Sequence, residues 1–253
     1  MIDSLYIGAT GMAAQQTNVD TISNNLANAN TPTYKKSRVV FEDLLMQQAA
    51  AAGQAPGTTG LGTALAASGK IFTDGELVKS QNALDVAIRG RGFLEVVLAD
   101  GSSGYTRSGT LQVNRDGVLT TADGNALKAS IQIPPDAKDV VIDANGNVSV
   151  GLPNQTDREQ VGQLELVNFM NPTGLNPIGD NLYAATDKSG EPIQGKAGDE
   201  GFGTIAQGFL ESSNVNLIDE LVNLIVAQRA YQVNAKVIQA SDDMLNITNN
   251  LRR

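Results

Sequence analysis

Apolar residues near both ends of the chain recur at alternating spacings of three and four, the pattern of one face of a helix. Toward the N-terminus this stripe contains Leu5, Gly8, Met12, Gln15, Val19, Ile22, Leu26 and Ala29. Toward the C-terminus it contains Val226, Ala230, Val233, Val237, Ala240, Met244, Ile247 and Leu251. Beside the second stripe lies a shoulder of Leu217, Leu221, Leu224, Tyr231, Ala235, Ile238 and Leu245. Both segments are therefore predicted to be amphipathic helices.

The spacing alone fits two arrangements. Each helix could belong to a compact bundle, since a bundle helix needs only one apolar stripe. The helices, however, lie at opposite ends of the chain, and the shoulder makes the second apolar face wider than one partner helix covers. We therefore predict that they pair with each other as a coiled coil and also with other subunits. The predicted assembly seams comprise Leu5, Met12, Val19, Ile22 and Leu26 in the first helix and, in the second, the stripe and shoulder without Ala235 and Ala240.

The start of the second helix carries the expected capping chemistry. Asn214 or Asn216 could accept hydrogen bonds from the free amides of the first turn, and Asp219 and Glu220 lie where the helix dipole favours acids. The pattern predicts a helix over residues 216–251.

The middle of the chain has the pattern of β-strands. Short apolar or alternating runs occur at 84–88, 93–98, 131–133, 140–142 and 164–167. Turn signals separate them, at Asp100-Gly101, Asp116-Gly117, Asp123-Gly124, Pro134-Pro135-Asp136 and Asn145-Gly146. Antiparallel meanders follow from such tight reversals. The predicted fold class is α+β, with N- and C-terminal helices paired as a coiled coil and a central antiparallel all-β domain.

Three regions are predicted from these patterns. Residues 1–35 and 210–253 form a terminal helical domain, residues 36–75 an extended connecting and insert region, and residues 76–209 the β domain. Within the connecting region, residues 49–69 are rich in Ala, Gly and Thr and almost free of charge. Composition favours a linker there. The alternative is an arm that becomes ordered along a neighbouring subunit.

Composition excludes several classes of function. The formal net charge of -9 argues against binding to phosphate backbones, so nucleic acid is not an expected partner. The chain has no Cys and no His, which excludes thiolate and imidazole chemistry. Adjacent acids such as Asp242-Asp243 diverge by about 100° on a helix and do not form a catalytic pair. No catalytic, cofactor or metal-binding residues are predicted, and the protein is not expected to be an enzyme.

The N-terminal segment lacks the features of a cleaved signal. It has no basic region followed by a continuous apolar stretch, and nothing in the sequence approaches the ~20 apolar residues of a membrane span. Export, if it occurs, is expected to proceed without a conventional signal peptide.

One stretch is too particular to be generic. It contains Asp20, Ile22, Asn24, Asn25, Leu26, Ala27, Asn28 and Thr31, followed by Tyr34-Lys35. It resembles the N-terminal signature of the flagellar rod and hook family, with Thr33 at a position where that family usually has Gly. Similar agreement with the family is found in residues 84–93 and 105–109, and near the C-terminus in residues 212–216 and 228–231. The resemblance spans nearly the whole chain.

The resemblance implies a structural function. Members of the family are exported through the flagellar type III apparatus and polymerise into tubular parts of the basal body. The length is similar to that of the member that forms the rigid distal rod or of its proximal relative with a β domain. The run Glu220-Leu221-Val222-Asn223-Leu224-Ile225 and the low-charge segment 49–69 are more similar to the distal rod member, which transmits motor torque to the hook. The implied location is the basal body, from the periplasm toward the outer membrane.

The partners implied by the resemblance are copies of the same chain, proximal rod proteins, and hook or hook–rod junction proteins. In a cell with an outer membrane, the P and L rings are further implied partners. Two alternatives stay open: the proximal rod member that also carries a β domain, or another subunit of the family, and a secreted β-rich binding protein whose terminal helices only oligomerise it. The second is disfavoured because aromatic residues make up only 4% of the chain and Trp is absent.

Overall fold

The computed structural model describes residues 2–47, 58–153 and 157–250. The chain divides into two compact units. The helical unit contains the described parts of residues 1–29, 36–71 and 215–253, and the β unit contains those of residues 30–35 and 72–214. Helices near both ends and an antiparallel β region between them confirm the α+β class.

The unit boundaries differ from the three predicted regions. Residues 36–71 group with the helices, whereas residues 30–35 and 210–214 group with the β-strands. The reason is hydrogen bonding. Segment 30–35 makes its long-range hydrogen bonds to residues of the β unit such as Glu211, whereas strands β1 and β2, which begin at residue 37, pair with each other.

The helical unit consists of two helices and a β-hairpin among the described residues. Helix α1 spans Ile2–Ala27 and helix α2 spans Leu217–Asn250. Strand β1 (Ser37–Gln47) pairs antiparallel with strand β2 (Thr58–Lys70). The predicted linker is therefore corrected over 58–69, because its backbone is committed to the ladder with β1, while residues 49–57 lie outside the described residues.

The two helices approach closely where α1 has small residues. A Cβ atom on Gly8 would lie 2.8 Å from Cγ1 of Ile238, and one on Gly11 would lie 2.8 Å from Nδ2 of Asn234. Residue numbers thus rise along α1 as they fall along α2, so the helices run antiparallel. Glycine costs about 1 kcal/mol relative to Ala inside a helix, and this close packing is what it provides in return.

The replacement Gly8→Val is expected to lower the free energy of unfolding of the helical unit by about 1–3 kcal/mol, because the added side chain must push the helices apart. Urea unfolding followed by far-ultraviolet circular dichroism measures the effect. Ala9→Val is the control, since Ala9 is exposed on the same helix. Equal effects of the two replacements would contradict close packing at Gly8.

The β unit contains sixteen further strands among the described residues. They are β3 (Leu77–Lys79), β4 (Val86–Arg89), β5 (Phe93–Val97), β6 (Ser103–Thr106), β7 (Leu111–Val113), β8 (Leu119–Thr121), β9 (Ala126–Leu127), β10 (Asp139–Ile142), β11 (Asn147–Gly151), β12 (Glu159–Gln163), β13 (Glu165–Asn168), β14 (Asn176–Gly179), β15 (Leu182–Ala184), β16 (Ile193–Lys196), β17 (Thr204–Gln207) and β18 (Phe209–Glu211). A single 3₁₀ turn spans Pro172–Gly174 within this part of the chain.

Every strand pairing in the described β unit is antiparallel, as predicted. The largest sheet has the order β14-β15-β6-β5-β9-β8-β7, and β13 joins it by pairing with both β5 and β16. Smaller sheets are formed by β10-β11-β12, by β4 with β17 and by β3 with β18. The last two pairings connect the beginning of the β unit to its end.

The chain bends sharply at Gly90-Arg91-Gly92. Gly90 has φ 99° and Gly92 has φ 139°, which a residue with a side chain rarely adopts. The bend redirects the chain from β4, which pairs with β17, to β5, which pairs with β6 and β9. The strand predicted at residues 131–133 is wrong, because only Gln132 forms an isolated bridge, with Val118. Its alternation reflects burial of Ile131 and Ile133 in an extended loop.

The core of the β unit has an aliphatic part and an aromatic part. The aliphatic cluster includes Val96, Leu119, Val148 and Leu166. The aromatic cluster contains Phe93, Tyr105, Val167, Phe169, Leu175 and Tyr183, with Phe72 packed against it. Its rings meet edge to face, the geometry that the ring quadrupole favours.

Candidate assembly site

The C-terminal stripe lies on the outside of the helical unit. Val226 is 61% exposed, Val233 58% and Ile247 59%, and Val237 and Met244 are also exposed. Ala230 is half-buried, and Leu251 lies outside the described residues. The strongest apolar periodicity of the chain therefore faces away from α1.

The face of α2 that contacts α1 carries a different set of residues. Glu220, Ala227 and Ser241 are buried, and Asn234 between them is half-buried, so these four recur every seven residues. Leu224, Ile238 and Leu245 of the predicted shoulder are half-buried as well, whereas Leu217, Leu221 and Tyr231 are exposed. Small and polar residues thus form much of the contact within the subunit, and large apolar residues remain available outside it.

The N-terminal stripe is more covered than the C-terminal one. Ile22 is buried, and Leu5, Met12, Val19 and Leu26 are half-buried. In the signature that follows, Asn25 is buried, Leu26, Asn28 and Thr31 are half-buried, and Asn24 and Ala27 are exposed.

Asn25 connects the end of α1 to the start of β1. Its Nδ2 donates to the carbonyl of Ser37 at 2.9 Å, and its Oδ1 accepts from the Ser37 amide at 2.8 Å. The same Nδ2 lies 3.5 Å from Oε2 of Glu220, whose other oxygen lies 4.0 Å from Nζ of Lys36. Asn28 likewise donates to the carbonyl of Asn24. The asparagine side chains of the signature therefore bind backbone groups at the end of α1 and the start of β1.

Asn216 is the capping residue of α2. Its Oδ1 accepts from the amides of Ile218 at 3.0 Å and Asp219 at 3.5 Å. The other candidate, Asn214, instead donates to the carbonyl and the hydroxyl of Thr73.

Four charged residues from distant parts of the sequence meet in the β unit. We call Lys35, Asp74, Arg107 and Glu211 the crossing network. Nζ of Lys35 lies 2.6 Å from Oε1 of Glu211, and Nε of Arg107 lies 3.0 Å from Oε2. Nη2 of Arg107 also lies 3.2 Å from Oδ1 of Asp74. The side chains of Lys35 and Glu211 are fully buried and that of Arg107 is 3% exposed, so these charges depend on each other.

Backbone groups complete the network. Nη1 of Arg107 donates to the carbonyls of Gly90 and Gly92, and Nη2 to that of Ile88. Nζ of Lys35 donates to the carbonyl of Thr73 at 2.6 Å, and the amide of Gly75 donates to Oε1 of Glu211 at 2.8 Å. The bend at 90–92 thus presents its carbonyls to a buried guanidinium.

Burial and charge act in opposite directions on Glu211. Burial raises the pKa of its carboxyl, but the charges of Arg107 and Lys35, with the hydrogen bonds from Lys35 and Gly75, outweigh burial and hold the pKa below its ordinary value. For Lys35, burial is the largest influence and lowers the pKa of the ammonium, and Arg107 lowers it further against the opposing effect of Glu211. Burial also raises the pKa of Tyr183 nearby.

Three of the four network residues lie in or next to the family-like motifs, but nothing in the sequence indicates a role for their charges. Lys35 closes the N-terminal signature, Arg107 lies in the motif at 105–109, and Glu211 directly precedes the one at 212–216. The sequence feature that could have pointed to these residues is the occurrence of single charged residues beside aromatic or neutral ones within the motifs. Pairing them required the fold, because 176 residues separate Lys35 from Glu211.

Thr33, which replaces the usual Gly of the family, keeps the backbone conformation of a glycine. Its φ is 60°, in the left-handed region where Gly is favoured, and it is 97% buried by its neighbours, with only 3% exposed. Its amide donates to the carbonyl of Glu211 at 2.7 Å, so the turn is retained although the residue is β-branched.

We expect Thr33→Gly to raise the free energy of unfolding of the β unit by about 1 kcal/mol. Relief of backbone strain is worth roughly 1–3 kcal/mol and exceeds the ~0.5–1 kcal/mol entropic cost of Gly. Urea unfolding followed by tyrosine circular dichroism measures it. Thr33→Ala keeps the Cβ atom and is expected to bring no gain. A Gly variant no more stable than the Ala variant would show that the left-handed turn carries no strain.

Among the described residues, no three acids lie close enough together to hold a metal ion. None of the helices in that part of the chain combines the length and apolarity needed to cross a membrane.

Family models match three parts of the chain that the structure places in both units. Residues 5–35 match the flagella basal body rod protein model, residues 87–150 the flagellar hook protein FlgE/F/G D1 domain, and residues 206–251 the flagellar basal body rod FlgEFG protein C-terminal model. The α1 signature, the β unit and α2 thus define a flagellar rod and hook protein.

Relatives over the full length narrow the class. The flagellar basal-body rod protein FlgG of Buchnera aphidicola subsp. Schizaphis graminum is 45% identical, with 97% of this chain and 98% of the relative covered. That of Agrobacterium fabrum is 44% identical, with 96% and 97% covered, and that of Bacillus subtilis is 39% identical, with both chains fully covered. The chain belongs to the FlgG family of flagellar basal-body rod proteins, whose members are structural subunits of the flagellar rod.

Proposed function

We propose that the chain polymerises through its terminal helices into the rigid, tubular distal rod, the drive shaft that transmits motor torque to the hook. The observation that carries this proposal is the exposed stripe on α2. A folded subunit that leaves Val226, Val233 and Ile247 more than half exposed has a surface suited to burial by other subunits. The relatives named as flagellar basal-body rod proteins support the rod as the structure that these subunits build.

The α1–α2 pair is proposed to act as a two-stranded coiled coil within each subunit. Support comes from the contact residues Glu220, Ala227, Asn234 and Ser241, which keep a spacing of seven. The seam residues of the exposed stripe, 100° or so around the helix from this contact, would then pair with helices of neighbouring copies. Together the helices would form the inner layer of the tube and the β unit its outer wall.

The β1–β2 hairpin is proposed to brace neighbouring subunits. Its strands expose Val40, Leu45 and Leu65, which a subunit in isolation leaves uncovered. Bracing of this kind would stiffen the shaft.

The remaining proposals concern partners and location. Proximal rod proteins and hook or hook–rod junction proteins would continue the polymer at its ends, and the P and L rings would surround it in cells with an outer membrane. Delivery is proposed to occur through the flagellar type III export apparatus to the basal body, which spans the periplasm toward the outer membrane.

Photo-crosslinking in cells tests the proposal. Benzoylphenylalanine is placed at Val233 in a flagellated bacterium whose own gene for this subunit has been deleted. We expect irradiation to join the chain to a second copy, with mass spectrometry locating the attachment in its α1 or α2, and we expect no such product when Val237→Asp is also present. A chain that restores swimming yet crosslinks only to unrelated proteins would contradict assembly through this stripe.

A further inference from the structure

Three members of the crossing network, Lys35, Asp74 and Glu211, are close in sequence to points where the chain enters or leaves the β unit. By sequence, the passages occur at 29/30, 35/36, 71/72 and 214/215. The parts of the β unit that adjoin them are residues 30–35, 72–75 and 211–214, which we call the crossing segments.

Glu211 bonds to both of the other crossing segments. Its carboxylate accepts from Lys35 in the first and from the Gly75 amide in the second. Its backbone carbonyl accepts from the Thr33 amide at 2.7 Å, so the first segment is held twice. The segment that contains Glu211 is in turn anchored to the second through the bonds of Asn214 to Thr73.

Arg107 connects this arrangement to the core of the β unit. It binds Glu211 with Nε and Nη2 and reaches Asp74 in the second crossing segment. Its guanidinium carbon lies 6.0 Å from the centre of the Phe93 ring, in the aromatic cluster. The guanidinium of Arg107, which holds the Glu211 carboxylate, is therefore itself positioned by the folded core of the β unit.

The bonds of Glu211 close very long loops. They span 176 residues to Lys35, 136 to Gly75 and 104 to Arg107. Contacts of such separation form only after the entropy of loop closure has been overcome. A chain without residue 211 in place lacks the acceptor shared by all of these donors and leaves the Arg107 guanidinium buried without its carboxylate.

We propose that Glu211 joins the three crossing segments into a clamp, meaning that they open and close as one cooperative unit. Closure depends on the arrival of the C-terminal segment 211–214, so the β unit is completed only when both its first and last segments are present. This device is distinct from polymerisation and does not rest on the proposed rod function.

Hydrogen exchange of the full chain at neutral pH tests the clamp. In Glu211→Gln, we expect the amides of Thr33, Gly75 and Ser212, one from each crossing segment, to exchange at least about 10-fold faster, and by similar factors. The amides of Ile133 and Leu164, which bond to the carbonyls of Gly117 and Gly146 elsewhere in the β unit, are expected to change much less.

Two further variants make the result decisive. Glu95→Gln removes another nearly buried carboxylate, 2.8 Å from Lys128, and is expected to leave the crossing amides unchanged. Lys35→Met removes one donor and is expected to accelerate the same three amides by a smaller factor, which keeps the test valid if Glu211→Gln fails to fold. Acceleration at Gly75 alone, or an equal rise at Ile133 and Leu164, would overturn the clamp.

Discussion

The replacement Val237→Asp is expected to abolish polymerisation while leaving the subunit folded. Val237 is exposed in the subunit, so the carboxylate is solvated there, but it would be buried without a partner in a contact between copies. Analytical ultracentrifugation of the full chain measures polymerisation, and circular dichroism measures folding. A variant that still forms polymers would exclude this stripe as an assembly surface.

The neighbouring residue provides a matched control. Ile238 is half-buried against Gly8 of α1, so Ile238→Asp is expected to weaken the α1–α2 pair within the subunit and to lower its helical stability. Leu26→Asp, at a half-buried position of α1, is expected to behave in the same way and also to block assembly. Identical behaviour of the variants at 237 and 238 would show that the two faces of α2 have no separate roles.

The replacement Arg107→Met is expected to lower the free energy of unfolding of the β unit by about 3–5 kcal/mol, because it leaves the buried Glu211 with too little compensating charge. Three of the five tyrosines, Tyr34, Tyr105 and Tyr183, are buried in the β unit, so near-ultraviolet circular dichroism reports on it during urea unfolding.

Arg158→Met is the control for that measurement. Arg158 and Asp139 form an ion pair of 2.9 Å whose side chains are about half exposed, and the loss is expected to be below about 1 kcal/mol. A loss of similar size in both variants would mean that Arg107 contributes no more than a surface charge.

The network also predicts a dependence on pH. Because the pKa of the Glu211 carboxyl is lowered in the folded chain, its stabilising effect is present above the unfolded value of about 4.3 and is lost as the pH falls through the folded value. We expect the difference in unfolding free energy between the natural chain and Glu211→Gln to be largest near neutral pH and to shrink below about pH 4. A difference that stays constant from pH 7 to pH 3 would contradict this linkage.

Much of the fold could be predicted because local rules decide it. The three-four spacing identified α1 and α2, and the Asp-Gly and Asn-Gly pairs marked turns at which Gly101 and Gly146 have positive φ. The signature residues identified the family. These features depend on neighbours in sequence.

Which face of α2 contacts α1 within the subunit could not be predicted in the same way. Apolar periodicity singles out the stripe at Val226, Val233 and Ile247, but within the subunit α1 contacts the adjacent face with Glu220, Ala227 and Asn234. A sequence pattern shows that a face will be buried, and does not show whether the partner is in the same chain. The stripe at Val226, Val233 and Ile247 is exposed in the subunit, and we propose that neighbouring copies cover it.

The boundary of the β unit could not be predicted either, for a related reason. A fragment cut at residues 35 and 210 lacks both Lys35 and Glu211, and would leave Arg107 buried without its main partner. The β unit ends at 214 and includes segment 30–35, because buried charges join stretches that are remote in sequence. A fragment designed to isolate it should retain those residues.

Electron microscopy of the purified full-length chain over a range of concentrations tests polymerisation through the terminal helices. We expect hollow helical polymers in which these helices form the inner wall, and only monomers in the Val237→Asp variant. Full-length chain that stays a compact monomer at high concentration, with α1 and α2 fully protected from hydrogen exchange, would contradict it.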